Sequence, residues 1–309
     1  MNPNGKVARK RSVANVMGEI NWLLRDFNPK RISFGDELFS VDMQRTHQLL
    51  DAMIEHKVGE RVEWDVQTHV DYVDEELFKK FKKANVTRVE LGVETGDEQS
   101  LRKMGKGTDL DSIIKACDAG RKAHVKIGTF LLLGQPNETE ESLRKTIELA
   151  VKINPELPMF GLMTPYPGTE VARMAAKGEG GYKLLTTDWD EYNKQIGGAM
   201  EFAHLTRKQI EWMQIKGYAK VYLKNYRFRD FALFLWEYRK GAWEVLRKIV
   251  MGKNKITQLL QKPPDYDIML KNATPVSLDV FINSREAWQN VQTEELKRAK
   301  QANAQLLDS

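Results

Sequence analysis

The segment from residue 126 to residue 153, KIGTFLLLGQPNETEESLRKTIELAVKI, combines an apolar run, a turn and an amphipathic pattern. The opening part, KIGTFLLLG, predicts a buried strand. The turn QPNE contains proline and asparagine, which favour chain reversal. Thr139 and Ser142 then form an N-terminal helix signature ahead of apolar residues at helical spacing. The segment therefore predicts a strand that passes through a short turn directly into a helix.

The same strand–turn–helix unit recurs along the chain up to about residue 180. Predicted helices in SVANVMGEINWLLRDF, MQRTHQLLDAMIEH and EELFKKFKKAN alternate with predicted strands in RISFGDELF, RVEWDVQT, RVELGVET and PMFGLMTPYP. Strands separated by helices pair in parallel through right-handed crossovers. Such a chain closes as a TIM-like barrel or remains an open doubly wound sheet.

The ends of the predicted strands favour the barrel. Each strand ends in a polar or glycine-bearing segment, and a barrel mouth collects such segments from all its strands, whereas an open sheet concentrates them at one switch point. These segments are Gly35-Asp36-Glu37, Gln67-Thr68-His69, Glu94-Thr95-Gly96-Asp97, Gly134 to Glu138 and Thr164 to Gly168. Neither GxGxxG after a strand nor GxxxxGK[ST] occurs, which argues against the two common nucleotide-binding sheets.

Composition narrows the class of protein. The 309 residues are 41% hydrophobic, enough for a sizeable core. No apolar run approaches the ~20 residues of a membrane span, and the N-terminus lacks a signal-peptide core, so we expect a cytoplasmic protein without membrane partners. The net charge of +5 is spread over helix faces. Without a basic groove interleaved with stacking aromatic residues, no nucleic-acid partner is expected.

Cysteine and histidine give no sign of a metal centre. Cys117 is the single cysteine and lies in a predicted helix, where it is interpreted as a small buried residue. The five histidines show no i, i+4 pairing. The residues of this chain therefore predict neither a disulfide nor a protein-held metal site.

Two strand ends carry carboxylates suited to a small polar ligand. Glu94 can accept hydrogen bonds from a ribose diol, as acidic residues do in dinucleotide-binding folds, or can cap the next helix. The residues alone do not decide between these two interpretations. Gly35 permits close backbone approach, and Asp36 and Glu37 can accept hydrogen bonds from a ligand ammonium group. A plain helix-capping turn is the alternative for this second segment.

Three further candidates follow the fourth and fifth strands. Gly128 removes a side chain inside a strand, which can mark close backbone approach. Gly134 lies in the turn that follows. Two prolines around Tyr166 make a stiff turn that can present backbone groups to a flat ligand such as a purine. Ordinary strand-to-helix turns are the alternative at these positions.

Taken in order, these segments resemble the core of radical S-adenosylmethionine enzymes. The resemblance extends from about Arg9 to Val171 and is closest to the branch that often carries an N-terminal cobalamin-binding domain. It is carried by FGDELF, WDVQTHVDYVDEELFKKFKKA, VELGVETGDEQSLRKMGKG, GTFLLLGQPNETEESLRKTIELA and TPYPGTEV. The resemblance implies an α/β fold, a partial (β/α)6 TIM-like barrel. Because residues 5–20 match the stretch that leads into the first barrel helix, we expect it to lack its first strand, with a helical region following.

The resemblance also implies which residues bind S-adenosylmethionine. The segment 35–37 matches the part that contacts the methionine amino group, and Glu94 matches the carboxylate on the ribose side. The strand from Gly128 to Gly134 matches the part against the adenosyl group. Thr164 and Tyr166 match the segment near adenine, and Thr68 is a further cofactor-binding candidate. The neighbouring His69 differs from the arginine that related sequences often carry.

The iron–sulfur cluster is where this chain departs from the resemblance. The family reduces S-adenosylmethionine with a [4Fe–4S] cluster held by three cysteines in a CxxxCxxC loop, and thiolates are the required ligands. This sequence contains no such loop, and Cys117 does not correspond to it. We therefore expect this chain alone to be inactive. A missing N-terminal domain or a split partner would supply the cluster and, in the cobalamin-associated branch, cobalamin.

Three functions follow as hypotheses. The first is a fragment of a radical S-adenosylmethionine enzyme, an oxidoreductase-like protein that would generate a 5′-deoxyadenosyl radical to abstract hydrogen from an unknown substrate. The second is a non-catalytic barrel remnant that binds a nucleoside-like ligand or a protein. The third, ranked last, is a barrel enzyme in which Asp36 and Glu94 act as acid and base.

The organisation of the chain follows from the same patterns. We predict a barrel over residues 1–180, a helical extension over 181–252 and a proline-interrupted tail, partly disordered, over 253–309. A barrel without its first strand exposes the edge of RISFGDE, and exposed edges pair with other chains. Aggregation or dimerisation is therefore expected unless a partner or the helix from Ser12 covers this edge.

Overall fold

The computed structural model describes residues 10–104, 107–192, 198–202, 204–237 and 239. Its main sheet is parallel, with the strands in chain order β1-β2-β3-β4-β5. The strands are β1 (Arg31–Ser33), β2 (Glu63–His69), β3 (Val86–Glu94), β4 (Lys126–Leu133) and β5 (Leu157–Leu162). A separate antiparallel pair joins β6 (Lys183–Leu184) to β7 (Met200–Glu201). The five parallel strands form a curled half-barrel, which confirms the predicted α/β partial barrel.

Helices precede, connect and follow the strands. They are α1 (Val13–Asp26), α2 (Met43–Glu55), α3 (Glu75–Lys83), α4 (Glu98–Lys103), α5 (Leu110–Lys122), α6 (Glu140–Ile153), α7 (Glu170–Lys177), α8 (Arg207–Lys224) and α9 (Phe228–Glu237). Short 3₁₀ turns occupy Val58–Glu60, Val70–Tyr72, Glu179–Gly181 and Trp189–Glu191. In the described part of the chain, no helix is both long enough and apolar enough to span a bilayer.

The helices begin where a side chain satisfies their first free N–H groups. At the start of each helix from α1 to α8, a serine, threonine or aspartate accepts a backbone N–H from the first turn. These N-caps are Ser12, Asp42, Asp74, Asp97, Asp109, Thr139, Thr169 and Thr206. Thr139 forms a reciprocal capping box with Ser142. The helical patterns of the sequence also predict N-caps at Ser12, Asp42, Asp74 and Thr206, and the structure confirms them together with the signature at Thr139.

The core lies between the convex face of the sheet and the helices. On this face, buried aliphatic and aromatic side chains alternate along each strand, as the two-residue period of a strand requires. Strand members include Trp64, Val66, Val89, Leu91, Ile127, Leu131 and Phe160, and helix members include Leu49, Met53, Leu77, Phe78, Phe81, Ile113 and Ile147. Because these apolar side chains are buried against the helices, the residues that alternate with them along each strand face the concave side of the sheet.

The concave face carries the remaining residues in rows that cross the strands. The register aligns Ser33, Asp65, Arg88 and Lys126 in a lower row. The next row contains Gln67, Glu90, Gly128 and Leu157. The third contains His69, Gly92, Phe130 and Met159. The strands therefore present a charged lower row and, above it, polar residues on β2 and β3 opposite apolar residues on β4 and β5.

Helix α8 covers the outer edge of β5. The Gln214 amide donates to the carbonyl of Phe160 at 2.6 Å, and the N–H of Phe160 donates to the Tyr218 hydroxyl at 3.2 Å. Gly217 lies against the ring of Phe160, where any Cβ would contact ring carbons at 3.0–3.2 Å. Side chains of α8 thus satisfy edge backbone groups that would otherwise need another strand.

The structure describes only part of the predicted C-terminal region. Within the helical extension, the sequence predicts two aromatic-rich helices, TRKQIEWMQIKGYAKVYLKN and FRDFALFLWEYRKGAWEVLRKIVMG. Helices α8 and α9 are present in these segments. The chain divides into a unit from Met1 to Pro264 and a unit from Asp265 to Ser309. The predicted tail over 253–309, with its final polar helix, lies outside the described residues. The boundaries at 180 and 252 stay predictions.

Candidate cofactor and substrate site

The carboxyl ends of the strands bring most of the predicted site residues to one edge of the half-barrel. After β1, Gly35, Asp36 and Glu37 are exposed. A Cβ at Gly35 would meet no atom within 4 Å, so packing does not require glycine there. The segment then runs along β2, where the N–H of Phe39 donates to the carbonyl of Gln67 at 3.0 Å. The loop therefore presents two carboxylates at the rim of the concave face.

Glu94 ends β3 in an unusual backbone conformation. Its φ of +67° lies in the left-handed region, which few non-glycine residues adopt. The register of β3 with β4 shifts between Gly92 and Glu94. Strained backbone of this kind persists only where the surroundings fix it, and it concentrates at functional sites. The shift re-aims Glu94 at the carboxyl end of the strand.

The turn after Glu94 is anchored to α6. The Thr95 and Thr146 hydroxyls lie 3.0 Å apart, and the Gly96 N–H donates to the Thr146 hydroxyl at 3.0 Å. Gly96 packs so closely that an added Cβ would overlap the Lys145 carbonyl. The Lys145 ammonium also pairs with Asp97 at 3.0 Å. These contacts hold the strained turn in place.

The turn between β4 and α6 is built around a buried carboxylate. Glu138 accepts N–H groups from Gly134 and, at 3.1 Å, from Gln135. The Tyr182 hydroxyl donates to the Gly134 carbonyl at 3.0 Å. Gly134 has φ +87°, and an added Cβ would overlap the ring of Phe202. Glycine is therefore required here both by backbone conformation and by packing.

Burial controls the charge of Glu138. Its side chain is 7% exposed, and burial raises its pKa to about 7, although the two N–H donors lower it and Asp97 raises it further. Its second oxygen, Oε1, has no hydrogen-bond partner among the described residues. Burial and the neighbouring Glu138 also raise the pKa of Tyr182. The turn therefore contains a carboxyl group that titrates near neutral pH.

The segment after β5 is tied back to the fold by its own hydrogen bonds. The Thr164 hydroxyl donates to the Leu162 carbonyl at 3.1 Å, and the Tyr166 hydroxyl donates to the Tyr192 carbonyl at 3.2 Å. A small second core, formed by Ala175, Tyr182 and Met200, packs with Met163 and Phe202. This cluster fixes the region between β5 and β7 beside the ends of β4 and β5.

Two predicted site residues differ from the others: Thr68, near the end of β2, faces the helices, and Gly128 lies in the middle of β4. The Thr68 hydroxyl is 2.6 Å from the Ser40 hydroxyl in the buried layer between sheet and helices. Gly128 lies in the second concave row, where an added Cβ would be 3.0 Å from Glu90 Cγ and 3.4 Å from Met159 Cε. The Glu90 side chain therefore lies beside the space that a side chain at position 128 would occupy. Cofactor contact by either residue stays a prediction.

A charged network on the concave face was not predicted. Asp65, whose side chain is 5% exposed, pairs with Arg88 Nη2 at 3.2 Å and Arg31 Nε at 3.4 Å. Ser33 donates to the same carboxylate, and Arg88 Nε lies 3.2 Å from Glu90 Oε1. Its sequence signal is the charged residue at every second position of RVEWD and TRVELG. Alternation of this kind places charges on one strand face.

His69 extends this concave surface upward. Its Nδ1 accepts the Asp71 N–H at 3.3 Å, and the ring contacts Tyr72 with centroids 5.9 Å apart. Asp71 Oδ2 is 3.4 Å from the same nitrogen. The backbone N–H of Asp71 therefore orients the imidazole.

The cysteine of this chain does not fit an iron–sulfur cluster. Cys117 is buried on α5 in the core between helices and sheet, and burial raises its pKa to about 12. Such a thiol stays protonated, whereas a cluster needs thiolates. Among the described residues, no group of three or more His, Cys, Asp or Glu side chains is arranged to hold a metal ion. The described residues therefore do not supply the thiolates that such a cluster requires.

The mouth fits S-adenosylmethionine better. Exposed carboxylates after β1, the re-aimed Glu94 and the glycine turn after β4 share the carboxyl edge of one parallel sheet. Carboxylates suit ammonium and ribose groups, and parallel α/β folds bind ligands at this edge. The half-barrel thus has the carboxylates and the glycine turn of its mouth along the edge where parallel α/β folds bind ligands.

Comparison with known proteins gives the family. The Radical SAM superfamily model matches residues 2–150, so this part of the chain, which contains the first four strands of the half-barrel, belongs to that superfamily. An uncharacterized methyltransferase from Pyrococcus horikoshii is 30% identical over 222 residues, which cover 71% of this chain and 47% of that protein. The anaerobic magnesium-protoporphyrin IX monomethyl ester cyclase of Cereibacter sphaeroides is 25% identical over 246 residues, 79% of this chain and 38% of the cyclase.

A solved structure shares the fold. The radical S-adenosylmethionine methyltransferase TsrM from Kitasatospora setae, with cobalamin and a [4Fe–4S] cluster bound, matches with a TM-score of 0.52 and 17% identity. The match covers 69% of this chain and 47% of TsrM. The chain thus spans about half the length, or less, of these three proteins.

Proposed function

We propose that this chain is the S-adenosylmethionine-binding half-barrel of a radical S-adenosylmethionine enzyme. The observation that carries the proposal is the meeting of segment 35–37, Glu94 and Gly134 at one edge of a half-barrel that matches the family. When bound and reduced in this family, S-adenosylmethionine supplies a 5′-deoxyadenosyl radical that takes a hydrogen atom from substrate. The relatives include a methyltransferase and a cyclase, and the substrate here is unknown.

Each residue has a proposed part in binding. Asp36 and Glu37 accept hydrogen bonds from the ammonium group, and Glu94 accepts them from the ribose hydroxyls. The backbone around Gly134 lies against the adenosyl group, and the segment Thr164 to Tyr166 lies near adenine. The hydrogen bonds from the Glu94 turn to α6, and those from Gly134 and Gln135 to Glu138, hold both turns in place without ligand. The entropic cost of ordering them on binding is therefore smaller.

The cluster is proposed to come from other polypeptide. The single cysteine is buried in the helix layer, so an additional domain or a partner chain must supply the thiolates. Cobalamin, present in the TsrM structure, is proposed only together with such an additional domain. A cytoplasmic location is part of the same proposal.

Ligand binding by the isolated chain tests the proposal. Equilibrium dialysis should show weak binding of S-adenosylmethionine and nearly equal binding of S-adenosylhomocysteine, because without a cluster the nucleoside end dominates. Glu94→Gln should weaken both by about tenfold, the loss of one hydrogen bond worth ~1.4 kcal/mol. Glu98→Gln, on the exposed part of α4, is the matched control and should bind as the parent chain does.

Two outcomes would count against the proposal. A folded parent chain that binds neither nucleoside would favour the barrel remnant whose role is to bind a protein, for which the single buried cysteine is the supporting observation. Equal binding by Glu94→Gln and the parent chain would remove Glu94 from the site.

A further inference from the structure

Glu90 lies on the concave face between the charged lower row and the strand ends. It alternates along β3 with Val89 and Leu91, which are buried in the helix-side core, so its side chain belongs to the opposite face. Its neighbours in the row are Gln67 on β2 and Gly128 on β4. Because Gly128 has no side chain, the Glu90 side chain lies over β4, toward Met159.

The lower row holds the Glu90 carboxylate from one side. Arg88 Nε lies 3.2 Å from Glu90 Oε1, while Arg88 Nη2 lies 3.2 Å from Asp65. Asp65 is in turn paired with Arg31. The guanidinium of Arg88 is thus fixed by a buried carboxylate and can hold Glu90 Oε1 in a defined place. Within the described part of the chain, Arg88 is the only cation that forms an ion pair with Glu90.

The charge of the concave face changes at Glu90. Below it, the cations Arg31, Arg88 and Lys126 oppose the anions Glu63 and Asp65. Above it, the third row holds His69 and no lysine or arginine, and Glu94 ends β3. Two cations beside the strand ends are each paired with carboxylates: Lys145 with Asp97 after β3, and Arg207 with Glu191 and Glu211 after β5. The surface above the charged row is therefore negative, and it favours a positively charged ligand. Burial raises the pKa of Glu90, although Arg88 lowers it and Asp65 raises it.

The opposite half of the same surface is apolar. Phe130 and Met159 follow His69 and Gly92 in the third row, and both are half-buried. Together with Leu132 on β4 and Gly161 on β5, they give a wall without charge next to the carboxylate. A ligand lying across both halves must be cationic at one end and flat or apolar at the other.

We propose that Glu90 binds a protonated amine of the substrate, while Phe130 and Met159 contact an apolar part next to it. The inference rests on the proposed function, because it names the substrate class of the same concave face. It makes Glu90 a specificity-determining residue, and it makes Arg88 a positioning residue that acts through Glu90. The ammonium group of S-adenosylmethionine has the same charge, so the test must separate the two sources.

Methionine-methyl NMR of the full chain tests the proposal without any cluster or turnover. The Met159 methyl lies near Glu90 and Gly128, and Met159→Leu assigns its signal among the 12 methionines. Benzylamine, cationic at neutral pH, should shift this signal in a saturable way. Benzyl alcohol and benzoate, which keep the ring without the positive charge, should bind at least about tenfold more weakly.

Variants identify the carboxylate. Glu90→Gln should weaken benzylamine binding by about tenfold or more, because a hydrogen bond to a charged group is lost. Glu90→Asp keeps the charge and should retain part of the affinity. Glu63→Gln, below the lower row and paired with Arg31, is the matched control and should leave binding unchanged.

The outcomes separate the possibilities. Equal binding of the amine, alcohol and acid, or unchanged binding in Glu90→Gln, would overturn the proposal. Displacement of benzylamine by S-adenosylmethionine would assign the cation site to the cofactor and overturn its assignment to substrate, whereas simultaneous binding supports it. Because benzylamine binding does not depend on the nucleoside, this test can fail while nucleoside binding succeeds, and the reverse.

Discussion

At the scale of single residues, Gly96 shows how a turn at the mouth depends on packing. Its N–H donates to Thr146, and an added Cβ would overlap the backbone carbonyl of Lys145 on α6. Backbone cannot move aside as a flexible side chain can. The helix must therefore shift before alanine fits, and the Glu94 turn shifts with it.

Gly96→Ala is expected to lower the free energy of unfolding by about 3 kcal/mol, the upper part of the range for overpacking. Urea unfolding followed by tryptophan fluorescence measures it. Gly18→Ala is the matched control: Gly18 is exposed inside α1 with no atom within 4 Å of an added Cβ. It should stabilise the protein by up to ~1 kcal/mol because alanine has the better helix propensity. Equal effects of the two substitutions would contradict the packing argument.

At the residue scale, the sequence predicts which residues lie at the carboxyl edge of the sheet, whereas ligand binding by those residues stays a prediction. Glu94 and segment 35–37 were found because they follow apolar strands, and parallel strands share a carboxyl edge. The left-handed backbone of Glu94 was not predictable, since it depends on a register shift with β4. Thr68 was chosen from the same strand-end rule, but its parity in β2 turns the hydroxyl toward Ser40.

At the scale of elements, the turn between β4 and α6 couples stability to pH through Glu138. Its pKa of about 7 in the folded protein lies above the ordinary value of 4.5. Between these values the unfolded chain has lost the proton and the folded chain retains it. The contribution of this group is therefore most favourable below pH 4.5 and is lost as pH rises to 7, by about 3 kcal/mol in total.

Glu138→Gln should remove this dependence, because its side-chain oxygen can still accept the N–H groups of Gly134 and Gln135. The parent and variant are expected to have similar free energies of unfolding at pH 5. At pH 8 the variant should be more stable by up to ~3 kcal/mol. Urea unfolding of the parent and the variant at both pH values gives the difference in their free energies of unfolding. The other carboxylates are the same in both proteins, so their contributions cancel in this difference. A constant difference between pH 5 and pH 8 would show that Glu138 does not titrate in this range.

Helix α8 stabilises the fold through a side-chain hydrogen bond to the backbone of β5, in addition to its apolar packing. The Tyr218 hydroxyl accepts the N–H of Phe160 at the outer edge of β5. Tyr218→Phe leaves this donor without its partner and should cost about 1–3 kcal/mol of unfolding free energy. Lys220→Gln, on the exposed part of the same helix, is the control and should change stability by less than ~0.5 kcal/mol. Thermal unfolding followed by circular dichroism compares the two variants. If Tyr218→Phe loses no more stability than Lys220→Gln, the contact at the edge of β5 does not stabilise the fold.

Element order was the most predictable level of the fold. Helix caps and apolar periodicity are local, so α1, α2, α3, α6 and α8 were found at nearly their observed bounds. The pair of β6 and β7 was not predicted, because each strand is two residues long and is stabilised by contacts with Gly134 and Tyr182 rather than by local sequence. The charged concave row was missed because the strands were interpreted by their apolar residues alone.

At the scale of the whole molecule, the half-barrel leaves one edge of its sheet open among the described residues. The carbonyl of Lys30 and the N–H of Phe34 form hydrogen bonds with β2. Because backbone groups alternate in direction along a strand, the N–H groups of Arg31 and Ser33 point away from β2. The opposite edge, at β5, is covered by α8. Helix α1 packs through Val16, Met17, Ile20 and Leu24 into the helix-side core. Pairing is therefore expected at β1 and not at β5.

The open β1 edge is expected to make the isolated chain dimerise as its concentration rises, as the sequence already suggested. Ser33→Pro removes the outward N–H while leaving the ladder with β2 intact, and proline is tolerated on edge strands. The control is Ser33→Ala, which loses the hydroxyl contact with Asp65 but keeps the N–H. Size-exclusion chromatography with light scattering should show dimers for the parent and Ser33→Ala, and monomers for Ser33→Pro. A parent chain that stays monomeric at high concentration would mean that another part of the molecule protects this edge, and dimers of Ser33→Pro would place the contact elsewhere.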